Sequence, residues 1–468
     1  MNIELFIVLC YIYTMKQAAL EKLLRYTKQF IKLRTLGHLW NALEKIHYAD
    51  IATLIEHLSS QEQSIIIQLL IDRKLEMPKF ADLISEIRPE LAVELLSGLE
   101  INQIVPILEE LSSDDAASLI SLFKEDLQIE LLKRMKKEES ENIQEQLAYP
   151  EESAGRIMST DFLALSESTT AGDAITAIQL AGEDVDVPFY LYVIDDEQRL
   201  KGVVSLKQLI LVKAKLTLKE IMNPDVYKVD AFVDQEDVAH VVANYNLLAI
   251  PVVDELDKLV GVVTVDDVID IIQDEATEDI YKLAGVTQDY SVDLSTTDSL
   301  KKRVPWLFMS LFTTSLSAVV VAMFAGTLKQ FIVLAFLMHI VPAIGGVVGN
   351  QTVAIMVREI VLGTLEWKRS RKILLKEVIV SVGSGLTIGT ASSVLTAIIF
   401  NNWVIGAVFG TAICFNLFMA ALLGTLIPLG LRRMKLDPAL ASGMLVTMLT
   451  DVFGLLGFLG LATLTLLK

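Results

Sequence analysis

Long apolar runs fill the C-terminal third of the chain, from Val304 to the end. Each run is long enough to cross the roughly 30 Å hydrocarbon core of a bilayer as a helix. Because lipid offers no hydrogen-bond partners, the backbone of such a region must pair internally, and we expect an all-α bundle of five transmembrane helices. The predicted spans cover approximately residues 304–326, 331–360, 374–400, 403–431 and 439–467.

The second apolar run is too long for one straight helix and contains residues that interrupt helices. Pro342 is followed by Gly345, Gly346 and Gly349. Proline removes a backbone hydrogen bond and clashes with the preceding turn. We therefore expect this span to be kinked or broken near Pro342.

Charge divides the chain as sharply as hydropathy does. Residues 301–468 contain 14 of the 40 Lys/Arg and 5 of the 59 Asp/Glu residues, so this part is basic. Residues 1–300 contain the other 26 Lys/Arg and 54 Asp/Glu residues, so this part is strongly acidic. A surface that acidic disfavours nucleic acid and anionic lipid and attracts cations. For most single acids in this half, a solubilising role is the simpler interpretation.

Basic residues in the short connections predict the orientation. They precede the first span and lie between spans two and three and between spans four and five, which places them on one side of a five-helix bundle. That side is the cytoplasm, so we expect a multi-pass inner-membrane protein with a cytoplasmic N-terminal half and its C-terminus outside. The residues are Lys301, Lys302, Arg303, Lys368, Arg369, Arg371, Lys372, Arg432, Arg433 and Lys435.

The N-terminal region lacks any signal of a membrane anchor. Leu5–Tyr13 is too short to span a bilayer, and no positive charge precedes it. We treat 1–35 as an extension, either a short packed helix or a segment upstream of a true start at Met15. Residues 36–150 repeat short amphipathic segments separated by polar turns, which predicts an all-α superhelical domain.

A duplicated α/β pattern follows. "FYLYVID" with "RLKGVVSLKQLI", and later "AIPVVDELDKLVGVVTVDDVIDII", each give a strand ending in Asp, a turn, a second strand and a helix. These segments resemble a pair of CBS domains, which we place at 151–215 and 216–275. The resemblance implies a regulatory module that often binds adenine nucleotides, so ATP is a candidate ligand of this pair.

Polar groups are rare within the apolar runs. Asp451 lies about halfway along the fifth, where an unpaired carboxylate is costly and marks either an ion pathway or a hydrogen bond to a neighbouring helix. Asn350 and Gln351 in the second run and Asn416 in the fourth supply oxygen ligands for hard cations, or hold helices together.

A second candidate site is a run of seven acids before the first span. Asp270, Asp274 and Glu278 are spaced so that their charges stack on one helix face and repel. Bound divalent cations would relieve that repulsion, although a solvated acidic face has the same appearance. The seven are Asp266, Asp267, Asp270, Asp274, Glu275, Glu278 and Asp279.

Common catalytic motifs are missing. The sequence has no GxxxxGK[ST], HExxH or GxSxG, and no Cys/His cluster. We therefore expect neither ATP-driven pumping nor any enzymatic activity.

Five further motifs occur in order along the chain: "YPEESAGRIMSTDF" at 149–162, "VTVDDVIDIIQDEATEDIYKLAGV" at 263–286, "KKRVPWL" at 301–307, "GNQTVAIMVR" at 349–358 and "DPALASGMLVTMLTDVFG" at 437–454. Together with the features above, they resemble the MgtE family of Mg²⁺ channels and transporters. The resemblance implies a homodimer in membrane lipid, with a plug helix at 276–303 joining the CBS pair to a pore domain at 304–468.

The resemblance also implies roles for individual residues. Asp451 corresponds to the acid that lines the pore, with Thr447 and Gly443 one and two turns earlier. Asp114 and Asp115 fall at the weaker sensor of the N-terminal domain. The intracellular Mg²⁺ sensor corresponds to Asp234, Asp267, Asp270, Glu275, Glu278 and Asp279.

The chain departs from the family pattern at three positions. Val347 replaces a usual Asn, Met444 a usual Pro, and Ser118 a usual Asp. The first two bear on ion selectivity, and the third weakens the sensor of the N-terminal domain.

Together the residues and the resemblance predict a Mg²⁺ channel or transporter that imports Mg²⁺ down its electrochemical gradient and is closed by cytoplasmic Mg²⁺. Two alternatives stay open: a Na⁺- or H⁺-coupled carrier of divalent cations, and a membrane-anchored CBS sensor or scaffold without transport. The sequence does not decide among Mg²⁺, Co²⁺, Mn²⁺ and Ni²⁺.

Overall fold

The computed structural model describes residues 17–181, 190–286, 296–361, 367–434, 436–439 and 442–467. The predictions for Leu5–Tyr13 and Met15, and part of the predicted plug helix, lie outside these residues. The chain forms two compact units, Met1–Ile271 and Ile272–Lys468.

Short amphipathic helices make up the first part of the N-terminal unit. Their apolar faces form one core that includes Leu54, Ile84 and Leu108, as their spacing predicts. Alternate helices pack on each other, which confirms the superhelical fold expected for this region. The helices are α1 Gln17–Lys32, α2 Leu36–Leu43, α3 Tyr48–Glu56, α4 Ser60–Asp72, α5 Met77–Ser85, α6 Pro89–Leu96, α7 Ile101–Leu108, α8 Ser113–Leu122, α9 Glu125–Arg134 and α10 Lys137–Leu147.

Two three-stranded sheets of the same topology confirm the predicted duplication. In each, the first two strands are parallel and the last two antiparallel, and a bulge interrupts the antiparallel pair at the equivalent position. The sheets consist of β1 Ala164–Ser166, β2 Tyr190–Ile194 and β3 Leu200–Ser205, and of β4 Val229–Asp230, β5 Ala249–Val253 and β6 Leu259–Thr264.

The aspartate that ends the middle strand of each sheet forms the turn. The Asp195 carboxylate accepts hydrogen bonds from the backbone N–H groups of Glu197 (3.0 Å) and Arg199 (2.9 Å). Asp254 accepts the same pair from residues 256 and 258, at 2.8 Å each. The carboxylate thus replaces backbone partners in the turn, which explains why both copies end this strand in Asp.

Helices flank both sheets, and the last of them continues out of the second CBS copy. This connecting helix, α16, runs from Val265 to Leu283 and contains all seven acids of the acidic run. The other helices are α11 Ala154–Ile157, α12 Ala171–Ala181, α13 Leu206–Leu211, α14 Leu218–Ile221 and α15 Gln235–Tyr245.

Five helical stretches among the described residues are long and apolar enough to cross a membrane, as predicted. We call them spans 1 to 5; they run over Thr296–Met323, Val333–Ile360, Arg371–Ile399, Trp403–Arg433 and Ser442–Leu466. The helices in them and between them are α17 Thr296–Met323, α18 Ala325–Gln330, α19 Val333–Leu337, α20 Ile340–Val361, α21 Trp367–Ile399, α22 Trp403–Arg433 and α23 Ser442–Leu466.

Span 2 is interrupted before Pro342 and not at it. The helix α19 ends at Leu337 and α20 begins at Ile340, so Pro342 lies in the first turn of α20. Backbone N–H groups of a first turn have no intrahelical acceptor, and proline therefore costs little there. The glycines that follow lie inside a continuous helix, so the predicted interruption near Pro342 is present and lies just before the proline.

Glycines allow the spans to approach at backbone distance. A methyl group at Gly410 of span 4 would collide with the carbonyl oxygen of Gly389 in span 3. In a membrane, where apolar surface is not expelled by water, such close packing is a principal source of helix association.

Candidate functional site

A cavity of about 480 Å³ lies within the C-terminal unit. Spans 1, 2 and 5 and the end of the connecting helix contribute its walls. It is lined by Lys282, Leu283, Ala284, Gly285, Trp306, Leu307, Ser310, Thr313, Thr314, Asn350, Val353, Ala354, Gly443, Met444, Thr447, Met448 and Asp451.

One face of span 5 supplies the polar groups predicted for the pore. Gly443, Thr447 and Asp451 follow one another at i, i+4 and i+8, so they lie on one side of the helix. All three line the cavity, and the Asp451 side chain is half-buried. Among the residues that the structure describes, Asp451 is the carboxylate that lines this cavity.

Span 2 adds an amide to the same wall. Asn350 Nδ2 donates to Thr447 Oγ1 over 3.4 Å. A methyl group at Gly443 would lie 3.2 Å from Asn350 Oδ1, so the missing side chain leaves that oxygen room beside span 5. The structure therefore brings together four of the predicted residues, with carboxylate, amide and hydroxyl oxygens that suit a hard cation or its water shell.

Two other predicted pore residues do not reach this cavity. Gln351 follows Asn350 on the helix but is not among the lining residues. Asn416 is completely buried, and its Nδ2 donates to the Val341 carbonyl oxygen at 2.8 Å. Asn416 thus links span 4 to the start of α20, in accord with the alternative interpretation of a helix–helix contact.

Sequence reasoning missed the contribution of span 1. Trp306, Ser310 and Thr314 line the cavity with a four-residue spacing that was visible in the sequence. It also missed Glu377 in span 3, which is only 7% exposed. Unlike Asp451, which lies well inside span 5, Glu377 lies near the start of span 3, where a charge costs less.

The end of the connecting helix carries an ion-pair network at the cavity. Lys282 Nζ lies 2.5 Å from Asp437 Oδ2, in the connection between spans 4 and 5, and also pairs with Glu278 one turn earlier. Burial alone would lower the pKa of Lys282, but hydrogen bonds to Asp437 and Glu278 raise it above its ordinary value. This ammonium is therefore a fixed positive charge in the cavity wall.

Asp279 lies beside the same network. Burial, followed by the negative charge of Asp437, raises the pKa of Asp279 to about 6. Three acids accompany one lysine here, so the cluster keeps an excess of negative charge at neutral pH. Two of the predicted sensor residues, Glu278 and Asp279, thus lie where a cation would be attracted.

A second group of acids lies in the N-terminal unit. Asp114 and Asp115 begin helix α8, and the charge of Asp267 acts on Asp114. Burial, then the charges of Asp267 and Asp115, raises the pKa of Asp114 well above its usual range. One oxygen of Asp114 is buried and accepts no hydrogen bond from the residues described.

Asp267 also has a structural role. Its Oδ2 accepts from the backbone N–H of Thr264 at 3.2 Å and from the Thr264 hydroxyl, which closes the first turn of the connecting helix. Burial raises the pKa of Asp267 to about 6 despite these bonds. Repulsion among the three acids is therefore built into this part of the fold.

The remaining predicted sensor residues are dispersed. Asp234 caps α15 by accepting from the Glu236 N–H at 2.9 Å. Asp270 is exposed and Glu275 partly so. Within the described part of the chain, no three acidic, histidine or cysteine side chains converge closely enough to hold one metal ion.

Comparison with known families covers most of the chain. The MgtE family, described as a divalent cation transporter, matches residues 338–461, and the MgtE intracellular N domain matches 46–152. CBS domains match 154–215 and 218–274.

Individual relatives agree with these family matches. The magnesium transporter MgtE of Thermus thermophilus is 35% identical over 91% of this chain and 94% of its own length. That of Bacillus subtilis is 33% identical over 83% and 86%. A crystal structure of the cytosolic domain of the Mg²⁺ channel MgtE in complex with ATP has 33% identity and a TM-score of 0.49, covering 52% of this chain and 98% of that one.

The relatives named MgtE are transporters, and these matches indicate no catalytic activity. The identity with them extends over most of the chain. The chain belongs to the MgtE family of magnesium transporters and is a multi-pass membrane protein.

Proposed function

We propose that this protein is a Mg²⁺ channel that imports the ion down its electrochemical gradient through the cavity at Asp451. The observation that carries this proposal is the convergence of Asp451, Thr447, Gly443 and Asn350 on one wall. A carboxylate without a basic partner on its own helix, surrounded by neutral oxygen donors, is what a hydrated divalent cation requires.

Dimerisation would complete the site. Mg²⁺ keeps most of its water shell and binds through one or two carboxylates. In a homodimer with the pore on its two-fold axis, each subunit contributes one Asp451, and two carboxylates suffice to hold the hydrated ion. The inside-negative membrane potential then draws it inward with about 2.3 kcal/mol per charge per 100 mV.

We infer that cytoplasmic Mg²⁺ closes the channel through the acids outside the membrane. Without the ion, Asp114, Asp115 and Asp267 repel one another, as do Glu278, Asp279 and Asp437. Mg²⁺ bound at either group would offset this repulsion and favour the compact form. Asp234, Asp270 and Glu275 belong to the same proposed sensor only through the family resemblance.

The proposal also includes the membrane orientation, the domain boundaries and a nucleotide site. We infer that the N-terminal half is cytoplasmic and the C-terminus outside, since the basic connections of the spans share one side. The domain boundaries given above and an ATP site in the CBS pair are proposed with them.

Uptake into proteoliposomes tests the channel mechanism. With Mg²⁺ outside and no Na⁺ or pH gradient, we expect influx that follows the Mg²⁺ gradient and accelerates when the interior is made negative. Influx that requires a Na⁺ or H⁺ gradient would establish the coupled carrier. No flux in any of these conditions would favour the sensor or scaffold.

Removing the acidic charges should release the inhibition by cytoplasmic Mg²⁺. We expect a variant with Asp267, Asp270, Glu275, Glu278 and Asp279 all changed to amides to keep conducting at millimolar Mg²⁺. Closing a channel from 99% open to 99% closed takes about 5.5 kcal/mol of differential binding, which several shared sites supply together. The measurements are Mg²⁺-dependent current and protection of the soluble part from protease.

A matched control changes the same number of charges elsewhere. The exposed acids of the helical region serve this purpose, and the amide variant carries Glu94, Glu125, Asp126, Glu138 and Glu145. This control should keep both protection and inhibition. If the sensor variant behaves like the control, the connecting helix carries only a solvated acidic face.

A further inference from the structure

Two methionines share the cavity wall with the pore carboxylate. Met444 and Met448 precede Asp451 by seven and three residues, so all three lie on one face of span 5. Both side chains line the cavity and are half-buried. Met448 is therefore one helical turn from the carboxylate.

Their setting differs from that of a methionine that only fills space. Met356 of span 2 is 0% exposed and packed on all sides, which is the usual use of this flexible side chain. Met444 and Met448 border open volume. The Sδ atom of Met444 is 4.0 Å from Ser310 Oγ of span 1, another cavity residue.

The cavity therefore offers sulfur as well as oxygen to a cation. Mg²⁺ takes oxygen ligands and gains nothing from a thioether. Softer divalent cations bind thioether sulfur favourably, and a nearby carboxylate supplies the charge that thioethers lack. The cavity wall thus offers oxygen ligands to Mg²⁺ and both oxygen and sulfur ligands to softer divalent cations.

We propose that Met444 and Met448, with Asp451, form a binding site for soft divalent cations such as Cd²⁺ inside the Mg²⁺ pathway. The site makes such ions strong blockers of Mg²⁺ entry, because they leave the sulfur-containing site slowly. This inference rests on the proposed function, in which the cavity is the route of the ion.

The test compares Cd²⁺ with Mg²⁺ in the full-length protein. Leucine conserves the volume of methionine and removes only the sulfur. In the Met444→Leu/Met448→Leu variant we expect the Cd²⁺ concentration that halves Mg²⁺ uptake to rise at least about tenfold. Inhibition is expressed as a fraction of the Mg²⁺ uptake that each variant shows without Cd²⁺. Met323→Leu, in a methionine that is 71% exposed and does not line the cavity, is the control.

Cadmium NMR of the detergent-solubilised protein separates this inference from the proposed function. A sulfur ligand moves the cadmium resonance downfield, and the double leucine variant should lose that shift whether or not the protein conducts. Equal Cd²⁺ inhibition in wild type and variant, or a wild-type resonance typical of oxygen ligands alone, would overturn the proposal.

Discussion

An Asp451→Asn variant is expected to take up Mg²⁺ into proteoliposomes about a hundredfold more slowly than wild type, while remaining folded. Asparagine keeps the size of the side chain and removes its charge. Hydrogen bonds between a carboxylate and the water shell of an ion contribute about 1.5–3 kcal/mol each, and one carboxylate is lost per subunit. Each 1.4 kcal/mol corresponds to about tenfold, so a hundredfold loss is a conservative expectation.

The control for this variant is Asp298→Asn. Asp298 begins span 1, outside the cavity, and pairs with Lys301 at 3.0 Å on the surface. The same chemical change there should leave uptake within about twofold of wild type, because exposed ion pairs contribute little. Near-normal uptake by a well-folded Asp451→Asn protein would remove the cavity from the conduction pathway.

Lys282→Met is expected to raise Mg²⁺ uptake about tenfold at low cytoplasmic Mg²⁺. The substitution removes a positive charge from the cavity wall, where it repels the entering ion. It also breaks the pairs with Asp437 and Glu278 that hold the end of the connecting helix at the connection between spans 4 and 5. Because this pair is partly exposed, its loss should cost less than the roughly 3–5 kcal/mol of a fully buried pair, and about 1.4 kcal/mol suffices for a tenfold effect.

Lys301→Met is the matched control for this prediction. Its side chain is 78% exposed, and its pair with Asp298 is on the surface. Uptake by that variant should equal wild type at every Mg²⁺ concentration. If Lys282→Met is as slow as wild type, or slower, the ammonium neither blocks the cavity nor holds the closed form.

Much of the fold follows from periodicity in the sequence. Apolar length predicts the five spans, because a bilayer requires it. The strand-ending Asp195 and Asp254 indicate the duplicated turn, since a short carboxylate accepts from the N–H groups two and four residues later. These features are local, so the residues that carry them are neighbours in the chain.

The candidate site was harder to predict from the sequence, because it depends on which faces of the helices meet. Asp451 stands out as a lone acid, but nothing in the sequence shows that Asn350 faces the cavity while Gln351 and Asn416 do not. In the sequence Lys282 has the appearance of an ordinary surface lysine, because its partner Asp437 is 155 residues away along the chain. The spacing of Ser310 and Thr314 in span 1 is visible in the sequence but does not identify a cavity wall, because hydroxyl groups on lipid-facing helices also occur and bond to their own backbone.

The burial of Asn416 has a mechanical consequence. Its amide binds the Val341 carbonyl oxygen of span 2, and the missing side chains of Gly345 and Gly454 make the room it occupies between spans 2 and 5. One side chain therefore contacts both neighbouring spans from span 4, and sliding span 2 past it would break the hydrogen bond of its buried Nδ2. In the proposed gating, spans 2, 4 and 5 should consequently move as a single body. Span 1 and the end of the connecting helix are then the parts expected to move when the cavity opens. Spin labels placed there should report the largest change in distance.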